Sequence, residues 1–217
     1  MNVHALKLCL VTNLQNQSFQ SYESFLLKAI KGGITSVQLR AKNKNLLEFR
    51  ELALQLKKLL SPFRIPLIIN DHVEIAQEID ADGVHIGQSD YAPHEARKIL
   101  GASKILGWSI ETLADLEDAN QLSCIDYVGA SAVFPSKTKL DCHTIWGLSG
   151  LEIITKLSRH PVVAIGGIQL TNVRSVMECG ACGVAVVDAL HCADPQQSAN
   201  DLIAEINDSI QKREQYV

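Results

Sequence analysis

Aromatic residues are scarce in this chain: they make up 5% of its 217 residues, against an apolar fraction of 47%. Any core must therefore be filled by Val, Ile, Leu and Ala, which suits parallel strands buried on both faces and implies covering helices. Proline is sparse as well, with six residues, and no Pro-, Gly- or Ser-rich tract interrupts the chain. Without a linker or a shift in composition, one compact domain over residues 1–217 is expected. No stretch approaches the ~18 apolar residues of a membrane span, and residues 1–11 carry only a short apolar run without a small-residue cleavage site. A cytosolic protein is the expectation. The formal net charge of −4 offers no broad basic surface, so neither nucleic acid nor a membrane is an expected partner; a homo-oligomer is compatible with it. The six cysteines, Cys9, Cys124, Cys142, Cys179, Cys182 and Cys192, lack the density and spacing of a disulfide scaffold and are read as reduced.

What the chain does contain is a repeated grammar. Apolar runs of strand length occupy 8–11, 36–39, 67–69, 83–86, 105–109, 127–133, 162–165 and 184–187. Stretches of helical periodicity lie between them. Tyr22, Phe25, Leu26, Ala29 and Ile30 form one apolar stripe, and Phe49, Leu52, Ala53, Leu56, Leu59 and Leu60 form another. Glycines in Lys31-Gly32-Gly33, Asp82-Gly83 and Cys179-Gly180 are read as helix exits, and Thr171-Asn172 and Ser109-Ile110-Glu111-Thr112 as helix entries. Eight β-then-α units predict a single (β/α)₈ TIM barrel; an open doubly wound sheet is the main rival, because strand order is not written in a sequence. The similar segments Ala81-Asp82-Gly83-Val84 and Ala181-Cys182-Gly183-Val184 fit either half-barrel duplication or shared turn chemistry.

Three polar clusters follow strand-like runs: Gln38-Leu39-Arg40-Ala41-Lys42, Ile69-Asn70-Asp71 and Phe134-Pro135-Ser136-Lys137-Thr138-Lys139. In a parallel barrel those ends share one rim, which gathers cations, hydroxyls and an acid at one mouth. Strand alternation aims Gln38, Arg40 and Lys42 one way and Leu39 and Ala41 the other. A solvated charge run would explain Arg40 and Lys42 but would leave Gln38 inside the barrel without a partner, which is costly. Asp71 and Asp90 leave neighbouring strand ends, and two carboxylates beside phosphate oxygens and water suit Mg²⁺. Helix capping is the competing account of each. Gly166-Gly167 after the seventh run would let backbone amides approach a phosphate closely, or would only supply a tight turn. His85 is read as a packed strand histidine or a substrate contact. Cys179-x-x-Cys182 is better explained by burial and the Gly180 turn than by zinc.

These residues resemble the thiamine phosphate synthase family. The resemblance is carried, in order along the chain, by Val37-Gln38-Leu39-Arg40-Ala41-Lys42, Ile68-Ile69-Asn70-Asp71, Asp82-Gly83-Val84-His85-Ile86-Gly87-Gln88-Ser89-Asp90, Gly107-Trp108-Ser109, Val133-Phe134-Pro135-Ser136-Lys137-Thr138-Lys139 and Ala164-Ile165-Gly166-Gly167-Ile168. It implies a transferase that couples an aminopyrimidine diphosphate with a thiazole phosphate and releases pyrophosphate. Gln38, Leu39, Arg40, Ala41, Lys42, Asn70, Ser109 and Lys139 would bind the pyrimidine diphosphate, with Arg40, Lys42, Ser109 and Lys139 acting in the reaction and Mg²⁺ on Asp71 and Asp90. Ser136, Lys137, Thr138, Gly167, Val187 and Asp188 would hold the thiazole phosphate. The implied route is loss of pyrophosphate to a pyrimidine carbocation, then attack by the thiazole nitrogen, with no protein nucleophile.

The chain departs from the family pattern in three places. Asp188 stands where a small hydroxyl residue is usual, and its carboxylate would repel a phosphate unless turned away or protonated. Ser136 replaces threonine and keeps the donor. Trp108 is bulkier than usual, but alternation with Ser109 sends it into the helix layer. The related thiazole tautomerases place a histidine where this chain has Ser109-Ile110-Glu111 and need no diphosphate grip. A barrel that merely binds a thiamine-type phosphate would tolerate loss of Arg40, Lys42, Asp71, Asp90 and Lys139, and all five are present.

Overall fold

A computed structural model of the chain describes residues 3–14, 17–136 and 144–215. Within them eight strands alternate with eight helices: β1 (Leu8–Val11), α1 (Phe19–Lys31), β2 (Ser36–Leu39), α2 (Leu46–Leu60), β3 (Leu67–Asn70), α3 (Val73–Glu78), β4 (Gly83–Ile86), α4 (Pro93–Leu100), β5 (Ile105–Ile110), α5 (Leu113–Gln121), β6 (Tyr127–Ser131), α6 (Gly147–Leu157), β7 (Val162–Ile165), α7 (Val173–Glu178), β8 (Gly183–Val186) and α8 (Pro195–Gln215). The strands pair in parallel in chain order, and β8 returns to β1, which closes the barrel and excludes the open sheet. No described helix is long and apolar enough to cross a membrane.

Strand alternation divides the core in two. Leu8, Leu10, Val37, Leu39, Leu67, Ile69, Val84, Ile86, Leu106, Trp108 and Val128 point outward into the helix layer, where Phe49, Leu52, Leu56, Leu26 and Leu151 meet them. The inner cluster is much smaller: Leu6, Cys9, Val11, Tyr127, Val163 and Ala185. Trp108 accordingly packs in the outer layer. Cys179 packs against that outer core while Cys182 packs against the inner cluster, so the Cys-x-x-Cys pair is split between two sides of the sheet. Burial pushes the Cys9 thiol up to about 11 and the Cys182 thiol up to about 12, as expected of inert structural thiols.

Side chains just ahead of a strand fix the register at the barrel's N-terminal end. Thr35 Oγ1 accepts from Leu8 N at 2.9 Å, Asp82 Oδ2 from Leu67 N at 2.8 Å and Asp126 Oδ2 from Leu106 N at 2.8 Å. Each belongs to the strand following the one it caps. Asp126 is further tied to Arg97 at 2.7 Å.

Local expectations held in part. Gly33 and Gly180 have φ of 101° and 98° and close α1 and α7. Thr112 opens α5 through a reciprocal box with Asp115, and Asn45 opens α2 through one with Glu48. Gly83 is not a helix exit: Asp80 takes the left-handed conformation after α3, and Gly83 is the first residue of β4. Its requirement is space, because a Cβ there would strike the Ile105 carbonyl oxygen; at Gly183 a Cβ would strike that of Leu6. The similarity of the two segments thus reflects the same close strand approach. Gly183→Ala should lower stability by about 1–3 kcal/mol through overpacking, measurable by urea unfolding. Asn172 precedes α7, yet its side chain turns back to accept from Gln169 N and donate to Gly167 O instead of capping the helix. The sixth strand ends at Ser131, two residues short of the expected 133, and the eighth covers 183–186 instead of 184–187.

Candidate active site

Alternation continues beyond β2, so Gln38, Arg40 and Lys42 form a row along one wall of a cavity of about 780 Å³ that runs down the barrel from its C-terminal end as far as Ala5, Leu6 and Ile105. Asn70 enters from β3 and Asp71 from just beyond it, Gly87, Gln88, Ser89 and Asp90 from the loop after β4, Ser109 from β5 and Glu111 from just past its end. The volume lies in the ordinary range for small-ligand sites. Leu39 and Ala41 face the opposite way, in or against the outer core, so only their backbone could serve a ligand. Thr12 pins the row: its Oγ1 accepts from Arg40 N at 3.0 Å and bonds to Arg40 O at 3.1 Å.

Capping explains neither aspartate. His72, not Asp71, precedes α3, and Ala92 precedes α4. Asp71 takes φ of 68° as the chain turns out of β3, and Asp71 N donates to His85 O at 2.9 Å. Asp90 Oδ2 accepts from Gly87 N at 2.7 Å, which closes the turn after β4. The two carboxyl groups are close enough for each to feel the other's charge. Burial and then the Asp90 charge raise the Asp71 carboxyl from its ordinary 3.8 to about 6, although Lys42 and Arg40 pull it back. Two partly buried like charges side by side disfavour one another, so the pair is poorly disposed to carry two negative charges unaided.

A second, smaller cavity of about 60 Å³ lies beside the first, lined by Ser136, Gly166, Gly167, Gln169, Val187 and Asp188. Arg40 and Ser131 border both spaces. Gly166 and Gly167 have φ of 101° and 63°, and a Cβ on Gly167 would lie 2.7 Å from Pro135 O, so these glycines are required by the packing of the β7 loop on the β6 loop. Asp188 is exposed on the rim. Behind it, His191 Nδ1 donates to Val187 O at 2.7 Å, and Tyr22 Oη pairs with His191 Nε2 at 3.2 Å. Burial lowers the His191 pKa, which suits a neutral, structural ring. Lys137, Thr138 and Lys139 lie outside the described residues, as does Cys142.

The floor of the large cavity was less legible. His85, expected as a packed residue or a contact, bridges Tyr127 Oη at 2.9 Å and Ser109 Oγ at 2.8 Å. Tyr127 was not singled out in the sequence. Its signal was a polar-tipped aromatic at an inward position of a parallel strand, where an unpaired hydroxyl would be costly.

Fold and site together define a (β/α)₈ barrel enzyme of the phosphate-handling kind: a cationic row, a carboxyl pair and a glycine turn after β7 surround one mouth. The thiamine monophosphate synthase family model matches residues 8–190, and the chain belongs to that family. A thiamine-phosphate synthase of Chlamydia abortus is 42% identical over 208 residues, 96% of this chain and 98% of that protein. One from Vibrio parahaemolyticus is also 42% identical, over 93% of this chain and 98% of its own length. Among solved structures, a thiamine phosphate pyrophosphorylase from Pyrococcus furiosus superposes with a TM-score of 0.85 at 31% identity, covering 96% of this chain and 98% of its own.

Proposed function

We propose that this protein is a cytoplasmic thiamine phosphate synthase, a transferase that couples an aminopyrimidine methyl diphosphate with a thiazole phosphate and releases pyrophosphate. The observation that carries the reading is the meeting of Gln38, Arg40, Lys42, Asn70, Asp71, Asp90 and Ser109 on one cavity in a chain of this family. Asp71 and Asp90 fit Mg²⁺. They are a carboxyl pair short of countercharge, and among the described residues no third His, Cys, Asp or Glu joins them, which leaves coordination positions for water and phosphate oxygens. Bound there, Mg²⁺ would neutralise charge on the diphosphate.

The chain's own residues do the rest. Arg40 and Lys42 stabilise the charge that grows on pyrophosphate as the C–O bond breaks, and Lys139 joins them from the segment after β6. Gln38, Asn70 and Ser109 orient the pyrimidine. The thiazole phosphate sits over Gly167 and Ser136, so that its nitrogen faces the electron-deficient methylene; the family resemblance adds Lys137 and Thr138 to its contacts. Holding two reactants in that geometry can account for about 7–11 kcal/mol of the barrier. Val187 and Asp188 border the phosphate, and Asp188 is exposed to solvent there.

The test is pyrophosphate release by the purified protein given both substrates. Release that needs Mg²⁺ and both compounds is expected. Isomerisation of a thiazole phosphate alone would favour the tautomerase reading instead, and product binding without turnover would favour a sensor.

A further inference from the structure

Three side chains from three consecutive strands form a chain at the floor of the large cavity. Tyr127 on β6 meets His85 on β4 through Nδ1, and His85 meets Ser109 on β5 through Nε2. The barrel makes room for them. His85, Gly107 and Tyr127 are register partners across β4, β5 and β6. A Cβ on Gly107 would strike the Tyr127 ring and the His85 imidazole, and one on Gly129 would lie 2.9 Å from His85 Cε1. Two inward positions are left without side chains, and the imidazole and phenol fill that space.

The direction of the hydrogen bonds follows from the buried end. Tyr127 is 4% exposed and packs among Leu6, Cys9, Val163 and Ala185, and His85 Nδ1 is the one hydrogen-bond partner of its hydroxyl among the described residues. A proton on Nδ1 would use the phenol as an acceptor and leave its O–H without one, which is unfavourable at that depth. With the phenol donating, Nδ1 accepts and Nε2 carries the imidazole proton. Nε2–H then donates to Ser109 Oγ, and the serine's own proton is directed elsewhere. The Ser109 carbonyl is held independently by Gln88 Nε2 at 2.7 Å, so the residue is anchored by both backbone and side chain.

We propose that Tyr127 and His85 are positioning residues that set Ser109 as a hydrogen-bond donor to the substrate, so that it recognises an acceptor, a ring nitrogen of the pyrimidine, and not the 4-amino group. The substrate part of this proposal rests on the function given above; the tautomer part does not. Ser109 lines the same cavity as Asn70, Asp71 and Lys42, one inward position beyond Gly107, the register partner of His85. A ring seated there reads Ser109 while its diphosphate faces the cationic row.

The experiment has two arms. In the full chain without substrate, ¹⁵N NMR of labelled histidine, assigned with a His85→Gln variant, is expected to show His85 protonated at Nε2 and bare at Nδ1. Tyr127→Phe should introduce the Nδ1–H form. A wild-type His85 protonated at Nδ1, or at both nitrogens near neutral pH, overturns the proposal. In initial-rate assays, Tyr127→Phe is expected to lower kcat/KM for the pyrimidine diphosphate about tenfold, the worth of one hydrogen bond, and leave KM for the thiazole phosphate unchanged. On a Ser109→Ala background the same substitution should cost nothing more. Equal losses on both backgrounds, or a rise in KM for both substrates, would reduce Tyr127 to packing and overturn the proposal. Absence of turnover in the wild type would overturn the functional reading, and the NMR arm would still decide the direction of the chain.

Discussion

Asp71→Asn is expected to reduce kcat/KM for the pyrimidine diphosphate by at least about 10², without rescue by added Mg²⁺, while making the metal-free protein harder to melt. The opposite signs have one cause. Burial and the neighbouring Asp90 raise the Asp71 carboxyl to about 6, so the folded protein holds a proton there that the unfolded chain releases near 4. Between those values the folded state binds more protons, and stability falls as pH rises from about 4 to 6 and stays lower above it. An asparagine in that place carries no charge to be repelled by Asp90. In the metal-free protein at pH 7.5 it should therefore stabilise by about 1 kcal/mol after allowance for partial solvent screening, a rise in Tm of about 2–4 °C. Mg²⁺ affinity of the wild type should weaken below about pH 6, where the proton competes. Calorimetry of both proteins at pH 4.5 and 7.5, with and without Mg²⁺, checks every sign. A variant that melts lower than wild type at pH 7.5 without metal, or that keeps full Mg²⁺-dependent turnover, would remove the carboxyl pair from the site.

Arg40 carries the second large expectation. Among the described residues it is the cationic side chain that borders both cavities, and its backbone is clamped at both its N–H and C=O by Thr12. Arg40→Ala should lower kcat by about 10²–10³, comparable to removing one preorganised donor from a developing oxyanion, and raise KM for both substrates. Lysine should restore little, because an ammonium cannot offer paired donors to two oxygens at once. Lys42→Ala, from the more exposed end of the same row, should raise KM for the pyrimidine diphosphate and leave that for the thiazole phosphate alone. Separate steady-state titrations of the two substrates resolve this, and a loss confined to one substrate in Arg40→Ala would show that the arginine serves one cavity only.

Much of the wall of the site could be read before any fold was known. Gln38, Arg40 and Lys42 announce themselves because strand alternation is a local rule and a buried glutamine needs a reason. Asp71 and Asp90 could be paired because each ends a strand-like run, though their capping alternatives could be dismissed only once α3 and α4 were seen to begin at Val73 and Pro93. Gly83 shows the limit of local reading. Along the chain it reads as a helix exit, yet the atom it makes room for is on Ile105, a contact that exists only after β4 and β5 align. The floor failed to show for the same reason: Tyr127, Gly107 and Gly129 mean little singly and acquire a role only as neighbours of His85.

The order of residues settles the eight-fold alternation of strands and helices, the two-sided burial of each strand, and which side chains share a direction, since these follow from periods of two and 3.6 along a single segment. Closure of β8 on β1, the split of Cys179 from Cys182, the meeting of Asp71 and Asp90, and the Tyr127–His85–Ser109 chain depend on register between strands far apart in the chain. Register is fixed by backbone hydrogen bonds and packing across the closed barrel, and these come into being only when the whole sheet does.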